Sequence, residues 1–422
     1  MEKRIRVGIF GLGRGLNNAK SMLLCGAEIV AVCDIKHRLR DKAREQLGDV
    51  AVFSDFDEFI KVDMDAVYIA NYFPEHAPYA IKALERGIHV ISECAANGTM
   101  AEGVELVRAA EKSKAIYMLG ENYPYMLFNQ EMQKVYQSGV LGQVMYAEGE
   151  YNHPGRGTDK NAVIELYDSE KHWRCHLPRT YYLTHSLGPL MMATRSTPIR
   201  VSATPIFINT PTPEYGDEII SGNCNGDRTA IIVTKNDDGS VYRFVGNSSF
   251  GAHGNTYRIA GTKGQIENVR GTDGMVNLNF NEWDIPEGYE KHKYYKPEEP
   301  EADKWLSSQT GHGGGDYYMF KDFFDCIRTG RRPYLDVYVA THMMSVAILA
   351  HRSVLNGGIP YDVPDFRREE DRVMWENDRE TPFYTYGTGE PTIRSCSRED
   401  FKPKEGRLQR FRDVLAEVDN SN

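Results

Sequence analysis

The chain has 422 residues, 41% of them hydrophobic and 26% charged, with a formal net charge of -10. That length exceeds what one hydrophobic core usually organises and predicts two domains with an appendage. The acidic balance, with no basic stripe set against it, argues against a nucleic-acid partner and leaves small molecules as the ligand class.

Residues 5–10 form a short apolar run, followed by Gly11, Gly13 and Gly15, a stretch of mixed polarity, and a second apolar run over 29–33 that ends at Asp34. Strand, glycine turn, helix, strand and terminal acid is the order that holds a dinucleotide. Gly11 permits the tight turn, Gly13 lets the backbone approach a pyrophosphate, and the amides opening the helix face its charge. Asp34 is placed to accept ribose hydroxyls and to repel the extra phosphate of NADP, which selects NAD. The third glycine of the usual pattern falls at Leu16, and the nearest glycine is Gly15.

Beyond Asp34 the pattern predicts helices over 38–47, 77–85 and 100–112, alternating with apolar strands over 65–70, 88–92 and 115–119. Such alternation means a parallel, doubly wound sheet whose ligand lies outside the carboxyl ends of the strands. Gly11, Asp34, Asn71, Glu93 and Asn122 all fall there. A linker helix over 128–137 leads out. From Val144 the pattern changes to short alternating strands, at 201–208, 230–234, 241–246 and 255–260, with turn signals at Asp238-Gly239 and 261–264. Helices are expected over 187–194, 316–328 and 337–356; the methionine-bearing stripe of the last reads as core.

The expected fold class is α/β: an N-terminal Rossmann domain over 1–122, then an α+β domain over 123–365 with an open, mainly antiparallel sheet. The second domain would serve substrate binding and oligomerisation. Residues 281–304 read as an exposed excursion, and residues 366–422 as a C-terminal extension wrapping over its own subunit or a neighbour. Seven cysteines, Cys25, Cys33, Cys94, Cys175, Cys224, Cys326 and Cys396, are odd in number and lack metal spacing. With no apolar run long enough for a bilayer and a first strand starting almost at once, the expectation is a soluble cytoplasmic enzyme without a membrane partner. Surfaces rich in Tyr, Phe and Met favour a homo-oligomer.

The densest polar stretch, 171–189, carries three histidines, two arginines, a tryptophan and two tyrosines in nineteen residues. Tyr182 and His185 are three apart and share a face if the following helix starts early. Together they can divide proton abstraction and donation. His153 follows a strand end and can point into the same cleft. His153, Glu150 and His185 are metal-type ligands, but nothing fixes their geometry and no metal is assigned. In 311–317, three glycines let a loop approach a sugar or the nicotinamide, His312 can reach hydroxyls, and Asp316 is read as a helix cap.

The segments RVGIFGLGRG, 71–76, ECAANGTMAEGVELVRAAE and ENYPY resemble the Gfo/Idh/MocA oxidoreductase superfamily. Members pair a Rossmann domain with a C-terminal sheet domain, bind NAD or NADP and act on sugars or cyclitols. Many carry Glu-Lys-Pro with a catalytic lysine; here the matching residues are Glu93, Cys94 and Ala95, so that lysine is absent. A more particular resemblance, through GEYNH, HWR with YYLTHSLGP, GHGGGDYYMFKDF and YDVPDF, is to the glycoside hydrolase family 109 branch. It implies that Glu93, His153, Tyr182 and His185 line the sugar and nicotinamide site, with Tyr257 as a further catalytic tyrosine. The cofactor site is then expected to draw on Gly11, Gly13, Arg14, Gly15, Leu16, Asp34, Asn71, His76, Glu93 and Asn122. The implied chemistry on a carbohydrate is transient C3 oxidation by NAD, C2 deprotonation, loss of the C1 substituent, water addition and re-reduction. The alternatives are a net sugar or cyclitol dehydrogenase, or an enzyme that only oxidises C3 of a glycoside.

Overall fold

The computed structural model describes residues 4–154, 160–207, 226–247, 251–385, 389–403 and 405–419. Its first half is built from β1 (Ile5–Phe10), α1 (Leu12–Leu24), β2 (Ala27–Cys33), α2 (His37–Leu47), β3 (Ala51–Phe53), α3 (Phe56–Phe59) and β4 (Ala66–Ile69). Then come α4 (His76–Glu85), β5 (His89–Ser92), α5 (Met100–Lys112) and β6 (Tyr117–Leu119). The six strands lie in the order β3-β2-β1-β4-β5-β6 and every pairing is parallel. Strand order reverses between β1 and β4, which places the crevice of a doubly wound sheet at Gly11 and Asn71. Helices cover both faces, so β4 is apolar and buried throughout instead of alternating.

The second half contains α6 (Leu127–Gln137), β7 (Val144–Asn152), α7 (Lys160–Leu166), α8 (Trp173–His176), α9 (Thr184–Thr194), β8 (Pro198–Phe207), β9 (Asp227–Asn236) and β10 (Val241–Asn247). It continues with β11 (Gly254–Gly261), β12 (Gly264–Asn268), β13 (Val276–Phe280), β14 (His292–Tyr295), α10 (Glu301–Ser308), α11 (Gly315–Thr329), α12 (Val337–Leu355), β15 (Tyr361–Asp362), α13 (Glu369–Trp375) and α14 (Glu405–Asp419). Nine strands form one open sheet, β14-β13-β12-β11-β7-β10-β9-β8-β15.

Most pairings are antiparallel, as the turn signals predict, but β10 runs parallel to β7. The reason is the α9 crossover: it returns the chain in the direction of β7, and the β8-β9-β10 meander then lays its third strand beside β7. The region read as an excursion, 281–304, holds β14 and the first turn of α10, although Trp283 in it is exposed. The strand expected over 201–208 is described as far as Phe207; Ile208 and Cys224 lie outside the described residues.

One continuous apolar cluster runs through both sheets. Helix α12, buried along nearly its whole length, packs on β8, α9 and the Rossmann helix α5 and so cements the halves. In the extension, Arg372 pairs with Glu111 of α5, and α14 packs on α7 through a separate small cluster of Val163, Cys175, Phe411 and Val414. Among the described residues no helix is long and apolar enough to cross a membrane.

Candidate active site

A cleft of about 480 Å³ opens where the parallel strands end, walled on its far side by β7, α7, α8 and α9. A wider, shallower groove of about 730 Å³ between α6 and α11 contains none of the groups at these strand ends. Of the residues expected to hold the cofactor, Gly11, Gly13, Arg14, Asp34, Asn71, His76, Glu93 and Asn122 line the cleft.

Gly11 has φ +89, and a Cβ there would sit 2.3 Å from the backbone of Ala70 and Asn71. A Cβ on Gly13 would meet nothing within 4 Å, so this turn faces open space. Helix α1 has no side-chain bond from its N-cap residue Gly11; its first amide, that of Leu12, is taken by Asp34, and the amides of Gly13 and Arg14 that follow are the ones available to a phosphate. Asp34 accepts from Leu12 N at 2.7 Å and Lys36 N at 2.8 Å, one bond per oxygen, with a lone pair on each left for a ribose diol. Asn71 Oδ1 is buried without a protein partner. These groups fit a dinucleotide.

Gly15 and Leu16 do not line the cleft. A Cβ on Gly15 would approach Ile9 to 2.5 Å, so this glycine brings helix against strand, the packing job of the third glycine carried one residue early. Leu16 is buried in the core. Both ring nitrogens of His76 face carbonyls, Nδ1 2.6 Å from Ala95 O and Nε2 3.3 Å from Asn71 O; burial lowers its pKa, and the neutral ring donates its single N–H to one of them. It holds two loops of the cleft in place.

The strand ends also carry the interdomain contacts. Arg14 reaches Glu93 at 3.2 Å and Asp316 at 3.1 Å, Tyr68 donates to Glu93, and Asn122 donates to Asp316 at 2.6 Å. Asp316 therefore does not cap α11, whose N-cap is the left-handed Gly314. Burial alone would raise the Asp316 carboxyl, but His312, 3.0 Å away, and Arg14 outweigh it and bring its pKa to about 2. Against an unfolded value near 3.8, that depression contributes about 2 kcal/mol of stability, present above about pH 4 and lost as pH falls toward 2. Asp316→Asn is expected to lose this increment at pH 7, and the gap to the parent to narrow between pH 4 and pH 2; urea melts across that range check it.

The reactive end is built on His185, in the first turn of α9. The helix starts at Thr184, earlier than the 187–194 expected, and Tyr182 sits in the tight turn just before it. Their rings meet edge to face at 5.3 Å, and Tyr123 and Tyr151 flank the imidazole at 4.6 and 4.7 Å. His185 Nδ1 lies 2.8 Å from Glu121 Oε1. Among the described residues, no hydrogen bond is made by its Nε2, and the ring lines the cleft.

Glu121 is fully buried and also accepts from Cys94 Sγ at 3.1 Å and Tyr123 N at 3.3 Å. Burial would raise its carboxyl, but the charge and hydrogen bond of His185 win and lower it. Sequence reasoning missed Glu121 and chose its neighbour Asn122; the available signal was its position two residues past the end of β6. The donor atoms of Cys94, Glu121 and His185 lie within 4.8 Å of one another, a set able to hold a cation. Here, however, the imidazole and the thiol are both turned to the carboxylate.

Two expected catalytic residues are placed differently. Tyr257 is buried beneath the site and donates to the carbonyl of His185 at 2.6 Å, so it supports the start of α9 and does not line the cleft. His153 is exposed at the rim, 4.1 Å ring to ring from His253; partial burial and the neighbouring His253 push its pKa down to about 4. The trio His153, Glu150 and His185 is not assembled, because alternation along β7 turns Glu150 to the other face, where Arg243 and Arg270 bind it.

Residues 5–121 match the family model "Oxidoreductase family, NAD-binding Rossmann fold", and residues 221–373 match "Glycosyl hydrolase 109, C-terminal domain". A glycosyl hydrolase family 109 protein of Streptomyces filamentosus is 28% identical over 401 residues, covering 87% of this chain and 78% of the relative. One from Solibacter usitatus is 28% identical over 396 residues, covering 86% and 88%. Among solved structures, levoglucosan dehydrogenase with NADH and levoglucosan superposes with a TM-score of 0.71 at 18% identity, over 86% of this chain and all of that one. Myo-inositol 2-dehydrogenase from Lactobacillus plantarum gives 0.63 at 19%, over 86% of this chain and 100% of that one. These structures share the fold. The strand order, the fitted dinucleotide crevice and both family matches agree: this chain is an NAD-using enzyme that joins a Rossmann domain of the Gfo/Idh/MocA oxidoreductase type to a C-terminal domain of the glycosyl hydrolase 109 type.

Proposed function

We propose that the protein is an NAD-dependent oxidoreductase of a carbohydrate or cyclitol hydroxyl, with His185 as the group that takes and returns the hydroxyl proton. The observation that carries this is the buried Glu121 carboxylate held 2.8 Å from His185 Nδ1, which leaves Nε2 toward the cleft. Glu121 orients the ring and balances the charge formed when Nε2 accepts a proton. NAD, held by Gly11, Gly13, Asp34 and Asn71, supplies the acceptor and donor of hydride. Tyr182 and Tyr123 offer hydroxyls and ring faces for the sugar, and Glu93 fixes Arg14 at the junction of the two halves. The names of the relatives, together with the levoglucosan and myo-inositol dehydrogenases of like fold, support a carbohydrate-type substrate.

A second reading is favoured by the match of 221–373 and by Cys94 at the position where the Gfo/Idh/MocA resemblance implies a catalytic lysine. In it the oxidation at C3 is transient, and Tyr182 or His185 then removes the C2 proton while the C1 substituent leaves. Incubation with α- and β-glycosides and free sugars in deuterated water separates the two. NADH accumulating without sugar release supports the oxidoreductase; released sugar carrying deuterium at C2, with no net NADH, assigns the cleavage route. Neither signal from any sugar or cyclitol would sink both.

Exposed apolar side chains Ile206, Ile231, Val233 and Val241 on the outer sheet face support a homo-oligomer, which light scattering tests. Six free cysteines among the described residues accord with a reducing, cytoplasmic setting.

A further inference from the structure

Arg179 opens the tight turn that leads into α9. Its guanidinium carbon lies 5.2 Å from the centre of the ring of Tyr182, which lines the cleft. Its charge acts on Tyr151 and Tyr182, two of the three tyrosines around His185, and on His153 at the rim. Among the described residues it has no carboxylate partner, and its Nε is buried without any hydrogen bond. Burial disfavours its charged form.

A guanidinium taken out of water without a counter-charge is expensive, and proteins normally pair it. Of the carboxylates near the cleft, Glu121 is committed to His185 and Glu93 to Arg14, and Glu165 on α7 makes no ion pair with either arginine among the described residues. A second cation, Arg174, lines the cleft stacked 4.3 Å over Trp173, again with no ion pair among the described residues. Two forked cations thus stand at the substrate side of the site, Arg174 on the cleft wall and Arg179 next to Tyr182, and neither is paired with a carboxylate among the described residues.

We propose that the complement is on the substrate: the site takes an acidic sugar, whose oxyanion substituent is received by Arg179 with Arg174 beside it. The inference rests on the carbohydrate reading above. Arginine suits this because its planar fork matches carboxylate, phosphate and sulfate oxygens alike. The oxyanion is bound, not transformed; its job is to set the sugar ring against Nε2 of His185.

Calorimetric titration of NADH-loaded protein tests the proposal. The probes are methyl glucoside, methyl glucuronoside, and the 6-phosphate and 6-sulfate of methyl glucoside. At least one acidic glycoside is expected to bind ten-fold or more tightly than the neutral one, and which one does so identifies the oxyanion. Arg179→Gln is expected to erase that preference while neutral binding stays within two-fold, and Arg179→Lys to restore part of it. Equal binding of neutral and acidic glycosides by the parent overturns acid recognition and leaves the carbohydrate reading standing. Binding of no glycoside, neutral or acidic, overturns both. Equal weakening of all glycosides in Arg179→Gln, with Arg179→Lys behaving like the parent for all, assigns Arg179 a structural role and overturns the proposal.

Discussion

His185→Ala is expected to slow turnover by about a thousand-fold, the middle of the range a positioned acid/base contributes. NAD affinity should stay within about two-fold, because His185 and the Gly11 turn hold opposite walls of the cleft. Glu121→Gln is the sharper companion. The amide keeps the shape of the side chain but cannot balance an imidazolium, and its NH2 can turn to Nδ1 and impose the wrong tautomer. A loss of about a hundred-fold or more is expected, again at unchanged NAD affinity. Single-turnover NADH formation, beside a fluorescence titration of NADH, separates chemistry from cofactor binding. If His185→Ala retains turnover within three-fold of the parent, another group moves the proton and the dyad is structural.

Gly11→Ala is expected to be nearly as damaging, for a different reason. Its added methyl would lie 2.3 Å from Ala70 and Asn71 backbone atoms, which belong to the end of β4 and cannot swing aside as a side chain can. The left-handed backbone adds about 1–2 kcal/mol. A loss of more than about 3 kcal/mol in stability follows, with NAD binding weakened at least a hundred-fold as the switch point is pried open. Gly13→Ala supplies the contrast. With nothing within 4 Å of the new methyl, thermal stability should hold, while NAD affinity falls because the methyl occupies the space a pyrophosphate needs. Melting curves with and without NADH check both; a Gly13→Ala protein that binds NADH like the parent would contradict the placement of the phosphates.

The nucleotide half was legible in the chain because its signals are local. Gly11, Asp34, Asn71 and Glu93 each follow an apolar run, and parallel topology gathers strand ends into one place without further information. What was not legible needs contact across long separations. Glu121 reads as one more polar residue after a strand until α9 brings His185 to it from 64 positions away. Tyr257 was expected to be catalytic through the family 109 resemblance alone, and only packing reveals that its hydroxyl reaches a carbonyl beneath the site. Asp316 had the position of a cap, and the pull of Arg14, some 300 residues earlier, decided otherwise. The parallel β7-β10 pair likewise depends on a crossover that no strand pattern announces.

The contact between α7 and α14 has a thermodynamic side. Glu165 and Leu166 of α7 stand on the wall of the cleft, yet their support comes from a four-residue cluster separate from the core that joins the two sheets. A unit with so few buried apolar contacts opens at a fraction of the free energy of global unfolding. Amide exchange in this protein should therefore be layered: slow through α12 and β4, fast through α7 and α14. The α7 part of the cleft wall can thus come apart and re-form while β7 and α9, seated in the main core, hold His185 in place.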